Sequence, residues 1–465
     1  MDVEKTKAYV EENFEKCFVE PISGFIKIPN LTPAFDPEYY SNGLIQDAIQ
    51  FVKEYAENMN IEGLEFHVHD EEGMPPMVVI SIEGTGSPNV MIYGHLDKQP
   101  HMDGWREGTG PTTPTIIENK LYGRGSTDDG YVPFATLLAV KNAIEQGVEL
   151  PRIVLVLETE EESGSSFLIP LLDKCIDWIK EPDYCICMDS GCLDYKKLWM
   201  TSSLRGTIGF NLKVSIAENA LHSGVCGGAV PESFRVLNNL LNRLEDPDTY
   251  KMAAFEVDIP EKFLKEAEEV AALVGDDLYK DFHLLDGVKP INHDNLPEMY
   301  LNINWRPAIA VTGVDGMPPL EKSGNVVRAY TTTRIKMRLP PTADAKKALA
   351  DATEILTQDP PHGAKVEILN PSSGNGWCVK DLKEGTEKAL QDASLNFFGD
   401  SMGVYGIGGS IPFLNVLSQK YVNTEILALG AGGNDANIHA PNETLELPYA
   451  KKLICGLSHI LHDIK

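Results

Sequence analysis

The sequence predicts an α/β domain made of two separated pieces and interrupted by an inserted α+β domain. Two patterns carry this. Short, almost wholly apolar runs at Met77 to Ile82, Val90 to Tyr93, Ile153 to Leu157, Tyr184 to Met188 and Glu425 to Leu429 alternate with segments of helical period. Such runs suit strands covered on both faces. Between them, from about Arg205, Ile208, Phe210, Leu212, Val214 and Ile216 alternate strictly with other residues, as in a sheet with one face exposed. The expected division is 1–205 plus 380–465 for the first domain and 206–379 for the insertion.

Taken in order, Leu44, Ile45, Ala48, Ile49, Val52, Tyr55 and Ala56 repeat at helical spacing, and the strands Met77 to Ile82 and Val90 to Tyr93 follow. Val132 to Gln146 reads as a helix, then Ile153 to Leu157 and Tyr184 to Met188 as buried strands. After the alternating strand, Pro231 opens a helix carrying Val236, Leu237, Leu240, Leu241 and Leu244, since proline suits a first helical turn. Ala329 to Leu339 and Lys365 to Leu369 read as further strands, and Pro371-Ser-Ser-Gly-Asn-Gly376 as a loop. A helix from about Leu382 to Phe398, the strand Glu425 to Leu429 and a closing helix from Tyr449 to His462 complete the pattern.

Composition narrows the function. Over 465 residues, 40 basic against 69 acidic side chains leave a net charge of −29, so nucleic acid and anionic membrane are poor partners. The first sixteen residues alternate charges and lack the apolar core of a signal peptide, and no run approaches the ~18 residues of a membrane span. The 8 cysteines include no C-x-x-C pair, which fits buried, reduced thiols. A cytoplasmic enzyme is the expectation. The glycines of Gly406-Ile-Gly-Gly and Gly430-Ala-Gly-Gly lack the spacing of a dinucleotide site. Gly399-Asp-Ser401-Met-Gly403 satisfies G-x-S-x-G, but a helical run precedes it where a serine hydrolase needs a strand.

The densest polar signals fall where strands end, the usual place for α/β sites. Val90 to Tyr93 delivers His95 and Asp97; Gly123 to Gly130 is a glycine-rich turn holding the adjacent acids Asp128 and Asp129. Ile153 to Leu157 leads into Glu158-Thr-Glu160-Glu161-Glu162, Tyr184 to Met188 into Asp189, and Glu425 to Leu429 through glycines to His439. Taken singly, each is more often structural than catalytic. Together, two histidines and several carboxylates suit a divalent metal in a mixed nitrogen and oxygen site, and adjacent acids suit a two-metal centre.

Six longer motifs occur in one order: Tyr93 to Pro100, Leu121 to Asp129, Glu161 to Ser165, His222 to Gly228, Gly408 to Pro412 and Ile438 to Glu443. With these the chain resembles the carnosinase-like and cytosolic nonspecific dipeptidase branch of the clan MH metallopeptidases. That branch is related to acetylornithine deacetylase, succinyl-diaminopimelate desuccinylase and carboxypeptidase G. The resemblance implies a mixed-sheet, zinc-binding α/β domain interrupted by an α+β lid that also dimerises. It implies two Zn(II) per chain, with Mn(II) or Co(II) as substitutes. Asp128 would bridge the ions, His95 and Asp189 completing one and Glu162 and His439 the other. Glu161 would be the general base and Asp97 would orient His95. In the lid, His222 would stabilise the oxyanion and Asn325 would reach across the dimer. Arg338 would grip the substrate carboxylate, and Gly409 and Ser410 would contact substrate.

The implied activity is hydrolysis of a small peptide, a dipeptide, by a metal-bridging water. An N-acyl amino acid deacylase of the acetylornithine type is the rival within the same chemistry, and a noncatalytic metal- or peptide-binding dimer the rival from another class. Three places depart from the family pattern: Gly130-Tyr131 follows Asp129 in place of Lys-Gly, Ile407 replaces a glutamate, and Lys98 stands where an apolar residue is common. None removes a proposed ligand.

Overall fold

The computed structural model describes residues 1–280, 282–409 and 412–464. The chain divides into two compact units, the first Met1–Ser202, Val379–Tyr405 and Val416–Lys465, the second Ser203–Cys378 and Gly406–Asn415.

In the first unit a mixed sheet runs, in spatial order, Leu64–His69, Met77–Ile82, Arg152–Glu158, Asn89–His95, Tyr184–Cys187, Glu425–Ala428 and Trp199–Leu204. Its centre is parallel: Asn89–His95 pairs with both Arg152–Glu158 and Tyr184–Cys187, and Tyr184–Cys187 pairs with Glu425–Ala428. Every residue of Met77–Ile82, Asn89–His95, Arg152–Glu158 and Tyr184–Cys187 is buried, as their unbroken apolar runs demand. Four parallel strands therefore end at one edge, which brings the residues after His95, Glu158, Cys187 and Ala428 together.

The helix Val132–Glu145 starts directly behind Asp129 and is buried on nearly all sides. It is tied to the closing helix Leu447–Asp463 by a bond from Asn142 Nδ2 to Ser458 Oγ of 3.0 Å. Tyr131 Oη donates to the Met188 carbonyl at 2.6 Å, fixing the start of this helix to the strand end that carries Asp189. No described helix is long and apolar enough to cross a membrane.

The second unit has its own core. Its antiparallel sheet has the order Ala308–Asp315, Tyr330–Leu339, Gly206–Ser215, Lys365–Gly374. Ile208, Phe210, Leu212 and Val214 pack with Ile335 and Met337 against Val236, Leu237 and Leu240 of the helix Ser233–Leu241 and against Ala348, Ala352 and Leu356 of Ala345–Thr357. Burying each large aliphatic chain contributes about 1.5–3 kcal/mol, enough for an independent core.

Three sequence expectations are corrected. Pro371 to Gly374 is not a loop: the strand runs Lys365–Gly374, with a bulge between Leu369 and Ser372 where Asn370 takes φ 50°. Pro371, lacking an N–H, sits in that bulge, where no ladder bond is lost. The helix after Pro231 begins at Ser233 and ends at Leu241, leaving Leu244 buried beyond it. Gly406–Asn415, expected with the first domain, belongs to the second unit. Hydrogen bonds within that unit explain this, since Arg205 N donates to Gly409 O at 3.0 Å and Gly406 N to the Tyr300 hydroxyl.

Candidate metal centre

His95 ends its strand with a fully buried ring. Its Nδ1 lies 3.0 Å from the Asp97 carbonyl oxygen and 3.5 Å from Asp97 Oδ1, so Nδ1–H donates to the backbone and Nε2 faces Asp128 Oδ1 at 3.0 Å. The Asp97 carboxylate makes its shorter contacts elsewhere, accepting the N–H groups of Glu161 at 3.2 Å and Glu162 at 3.0 Å. Asp97 thus orients His95 chiefly through its carbonyl, and uses its side chain to hold the turn Glu161–Ser163.

Asp128 lies between two imidazoles. Oδ1 meets His95 Nε2, and Oδ2 meets His439 Nε2 at 2.9 Å. His439 Nε2 is also 3.1 Å from Glu162 Oε2, which accepts a bond from Gln99 Nε2 at 2.5 Å. His95, Asp128 and Glu162 offer donor atoms all within 4.8 Å of one another, and so do His95, Glu161 and Asp189. The second group places Glu161, the expected base, beside the expected ligand Asp189. His439 itself has φ 60°, a conformation costing about 1–3 kcal/mol that persists at functional sites when its surroundings enforce it.

Charge here is uncompensated. Burial, and then repulsion from Asp128, pushes the Glu162 carboxyl up to about 7; burial drives Asp189 up to about 6. Glu161 is driven well above the ordinary range by burial and by Asp189. Burial also raises Asp128, but the two imidazoles more than reverse it and leave its carboxyl below the usual range. Bonds to Asp128 and Glu162 raise His439 to about 10. Crowding therefore favours the protonated forms of Glu161, Glu162 and Asp189 beside an ionised Asp128, and Glu162 Oε1 is buried without a partner. A divalent cation can replace those protons, and imidazole plus carboxylate is a donor set that suits Zn(II), Mn(II) or Co(II). The residues fit a metal.

Gly94 permits the packing behind the site, because a Cβ there would meet Asp129 Oδ2 at 2.6 Å. That oxygen accepts the His95 N–H at 3.2 Å. The departure Gly130 also has a local cause: a Cβ would lie 2.4 Å from Gly125 O and 2.5 Å from the Phe25 ring. At the departure Lys98, the amine is buried and donates to Phe25 O at 2.9 Å and Ile28 O at 2.7 Å.

The remaining expected residues lie in the second unit. His222 and Asn325 are brought together: the Leu221–His222 strand pairs with Val326–Val327, and Ser223 N donates to Asn325 O at 3.0 Å. His222 Nδ1 accepts the Gly224 N–H at 3.1 Å, so the neutral ring carries its proton on the exposed side, at Nε2. Arg338 stands opposite Thr207 and Ala308 in the sheet. Burial and then the Arg338 charge push Arg205 down to about 10, which places Arg338 near the arginine that holds Gly408 O and Gly409 O. Ser410 lies outside the described residues. Gly399 to Gly403 joins the end of the helix Glu384–Phe397 to the strand Gly403–Ile407, the reverse of the serine-hydrolase context.

Sequence reasoning missed Gln99, Arg124, Arg205 and Glu443 as site-supporting residues. Gln99, Arg124 and Glu443 lie inside quoted motifs, whereas Arg205 lies in none of them.

A buried acid and imidazole cluster at the carboxyl ends of parallel strands defines the chain as a metal-dependent hydrolase. It belongs to peptidase family M20/M25/M40, whose model matches residues 91–463. It is 28% identical over 402 residues to the Cys-Gly metallodipeptidase DUG1 of Candida albicans, covering 82% of this chain and 80% of that protein. The human Beta-Ala-His dipeptidase is 26% identical, with 81% and 75% covered. In fold, the chain resembles the di-peptidase Dug1p of Saccharomyces cerevisiae with a TM-score of 0.71 at 22% identity, covering 100% and 99% of the two chains. The two-domain α/β metallopeptidase class expected from the sequence is the class of this fold, and the chain is a metallopeptidase.

Proposed function

We propose that the chain is a cytoplasmic, homodimeric dipeptidase holding two divalent ions per chain, Zn(II) by donor chemistry. The observation that carries this is Asp128, whose two carboxylate oxygens each face a different imidazole while Glu161 and Glu162 stand beside them. Relatives named as Cys-Gly and Beta-Ala-His dipeptidases support the substrate class. His95, Asp128 and Asp189 would hold one ion, and Asp128, Glu162 and His439 the other. Bound there, the ions supply Lewis acidity toward water and a carbonyl oxygen.

The chain's own groups do the rest. Glu161 takes a proton from the attacking water and returns it to the leaving amine, a task suited to a carboxyl whose pKa is raised by burial. His222 donates from Nε2 to the carbonyl oxygen as charge develops, and Arg338 holds the peptide's carboxylate with a planar fork. Gly409 would contact the substrate, and Asn325 accompanies His222. The edge strand Ala308–Asp315 leaves Val311 and Val314 exposed, which supports a partner copy on the second unit. All eight cysteines are free, in keeping with a reducing compartment.

The test is hydrolysis of Cys-Gly, β-alanyl-histidine and other free dipeptides beside N-acetyl and N-succinyl amino acids. Each is assayed after chelation and after return of Zn(II) or Mn(II). Free dipeptides should be cleaved only with metal, and Glu161→Gln should lose about 100-fold or more in kcat while retaining metal. Turnover of the acylated compounds alone would move the assignment to a deacylase.

A further inference from the structure

We infer that Glu443, acting with Arg124, is a positioning residue that presets the metal centre; the inference rests on the metal-binding reading above. Glu443 is completely buried, four residues beyond His439. It spends both oxygens on the loop that delivers Asp128. Oε2 accepts from Gly125 N at 3.0 Å and from Arg124 Nη1 at 2.8 Å; Oε1 accepts from Thr127 N at 2.9 Å and Asp128 N at 3.1 Å. Its own carbonyl accepts Gly123 N at 3.1 Å.

Arg124 extends the connection to two more segments. Its Nη2 donates to Ala440 O, next to His439, at 3.1 Å and to Pro100 O, at the end of the stretch leaving His95 and Asp97, also at 3.1 Å. One buried ion pair therefore joins the loops carrying Asp128, His439 and the His95 strand end. Neither member of the pair belongs to either group of candidate ligand atoms.

This arrangement has a specific consequence. Asp128 must present two oxygens in two directions, and its backbone N–H is itself gripped by Glu443, so its carboxylate cannot swing with the loop. His439, held at φ 60°, is backed by the Arg124 bond to the next carbonyl. Groups that orient ligands typically change metal affinity by about 10- to 100-fold when removed. A glutamine at 443 keeps the shape but turns an N–H₂ toward backbone N–H donors. A lysine at 124 keeps the charge but loses the fork that reaches two carbonyls.

The experiment titrates metal-free full-length protein with Zn(II) against a chromophoric chelator, for wild type, Glu443→Gln, Arg124→Lys and the control Ser458→Ala. Melting temperatures are recorded without metal. Both clasp variants should be folded and bind Zn(II) about 10- to 100-fold more weakly. The control, which loses a buried bond to Asn142 elsewhere, should melt lower at unchanged affinity. Wild-type affinity in both folded variants would overturn the inference. So would loss of folded protein at both positions, since that assigns the pair to folding. If wild type binds no Zn(II) or Mn(II), the metal-binding reading falls first, and the clasp with it.

Discussion

Lys98 is enclosed by the Phe25 ring, 4.2 Å from its nitrogen, by Gly125 and by two carbonyl oxygens. Burial pushes its ammonium down to about 7, and a neutral amine has two N–H bonds, matching the two carbonyls. The folded chain therefore gives up this proton near pH 7, whereas the unfolded chain keeps it to about pH 10. Between those values the unfolded state binds more protons, so stability from this group rises with pH, by up to about 1.4 kcal/mol per pH unit. Below about pH 7 both states are protonated and the penalty is constant. Urea melts of wild type and Lys98→Met at pH 7 and pH 9 should show wild type gaining relative to the variant; a pH-independent difference would refute a buried amine of lowered pKa. Lys98 also shows why residues differ in legibility. His95, Asp128, Glu161, Glu162, Asp189 and His439 were singled out in the sequence because each follows an apolar run or a glycine turn. The partners of Lys98 were not, because bonds to backbone carbonyls leave no pattern in side-chain identity, and Gln99 was not, because a neutral amide bound to Glu162 follows no apolar run of its own.

At the scale of elements, the turn that carries Glu161 and Glu162 is fastened at several points. Asp97 accepts both of their amides, Ser163 Oγ meets Thr32 Oγ1 at 2.6 Å and accepts Ala34 N at 2.9 Å, and Ser165 Oγ donates to Glu158 at 2.9 Å. Asp97→Ala removes the only anchor that grips both glutamate amides directly among these, so kcat should fall roughly 10- to 100-fold. Thr32→Val, which takes away one outer bond, should cost far less. Steady-state kinetics at saturating metal separates them, and equal losses would deny Asp97 its special place. The same scale explains what could be read beforehand. Strands buried on both faces announce themselves as apolar runs, and the one-faced strand Gly206–Ser215 announces itself by alternation. Leu64–His69 was legible but not read, since Leu64, Phe66 and Val68 alternate with polar residues, whereas the edge strand Ala308–Asp315 mixes apolar residues with Thr and Gly and faces solvent without strict alternation. Lys365–Gly374 was cut short because its bulge puts Asn, Pro, Ser and Gly inside a strand, residues that elsewhere mark a loop.

For the whole molecule, the residues proposed for the reaction are divided between two units, each with its own core. Glu161 and the candidate ligands belong to the first, His222, Asn325 and Arg338 to the second. Such a division lets one chain lend groups to another, and the exposed edge strand gives the second unit a surface that calls for cover. Complementation distinguishes lending from self-sufficiency. Glu161→Gln and His222→Ala chains, each nearly inactive alone, would be mixed, dissociated and reassociated. Random pairing makes half the dimers mixed. In each mixed dimer one site combines an intact Glu161 with the His222 of the other chain, so about a quarter of wild-type activity should return. If His222 served its own chain, both sites of the mixed dimer would remain defective and nothing would return. A fully active monomer by sedimentation would remove the dimer from the mechanism, leaving His222 to act within one chain.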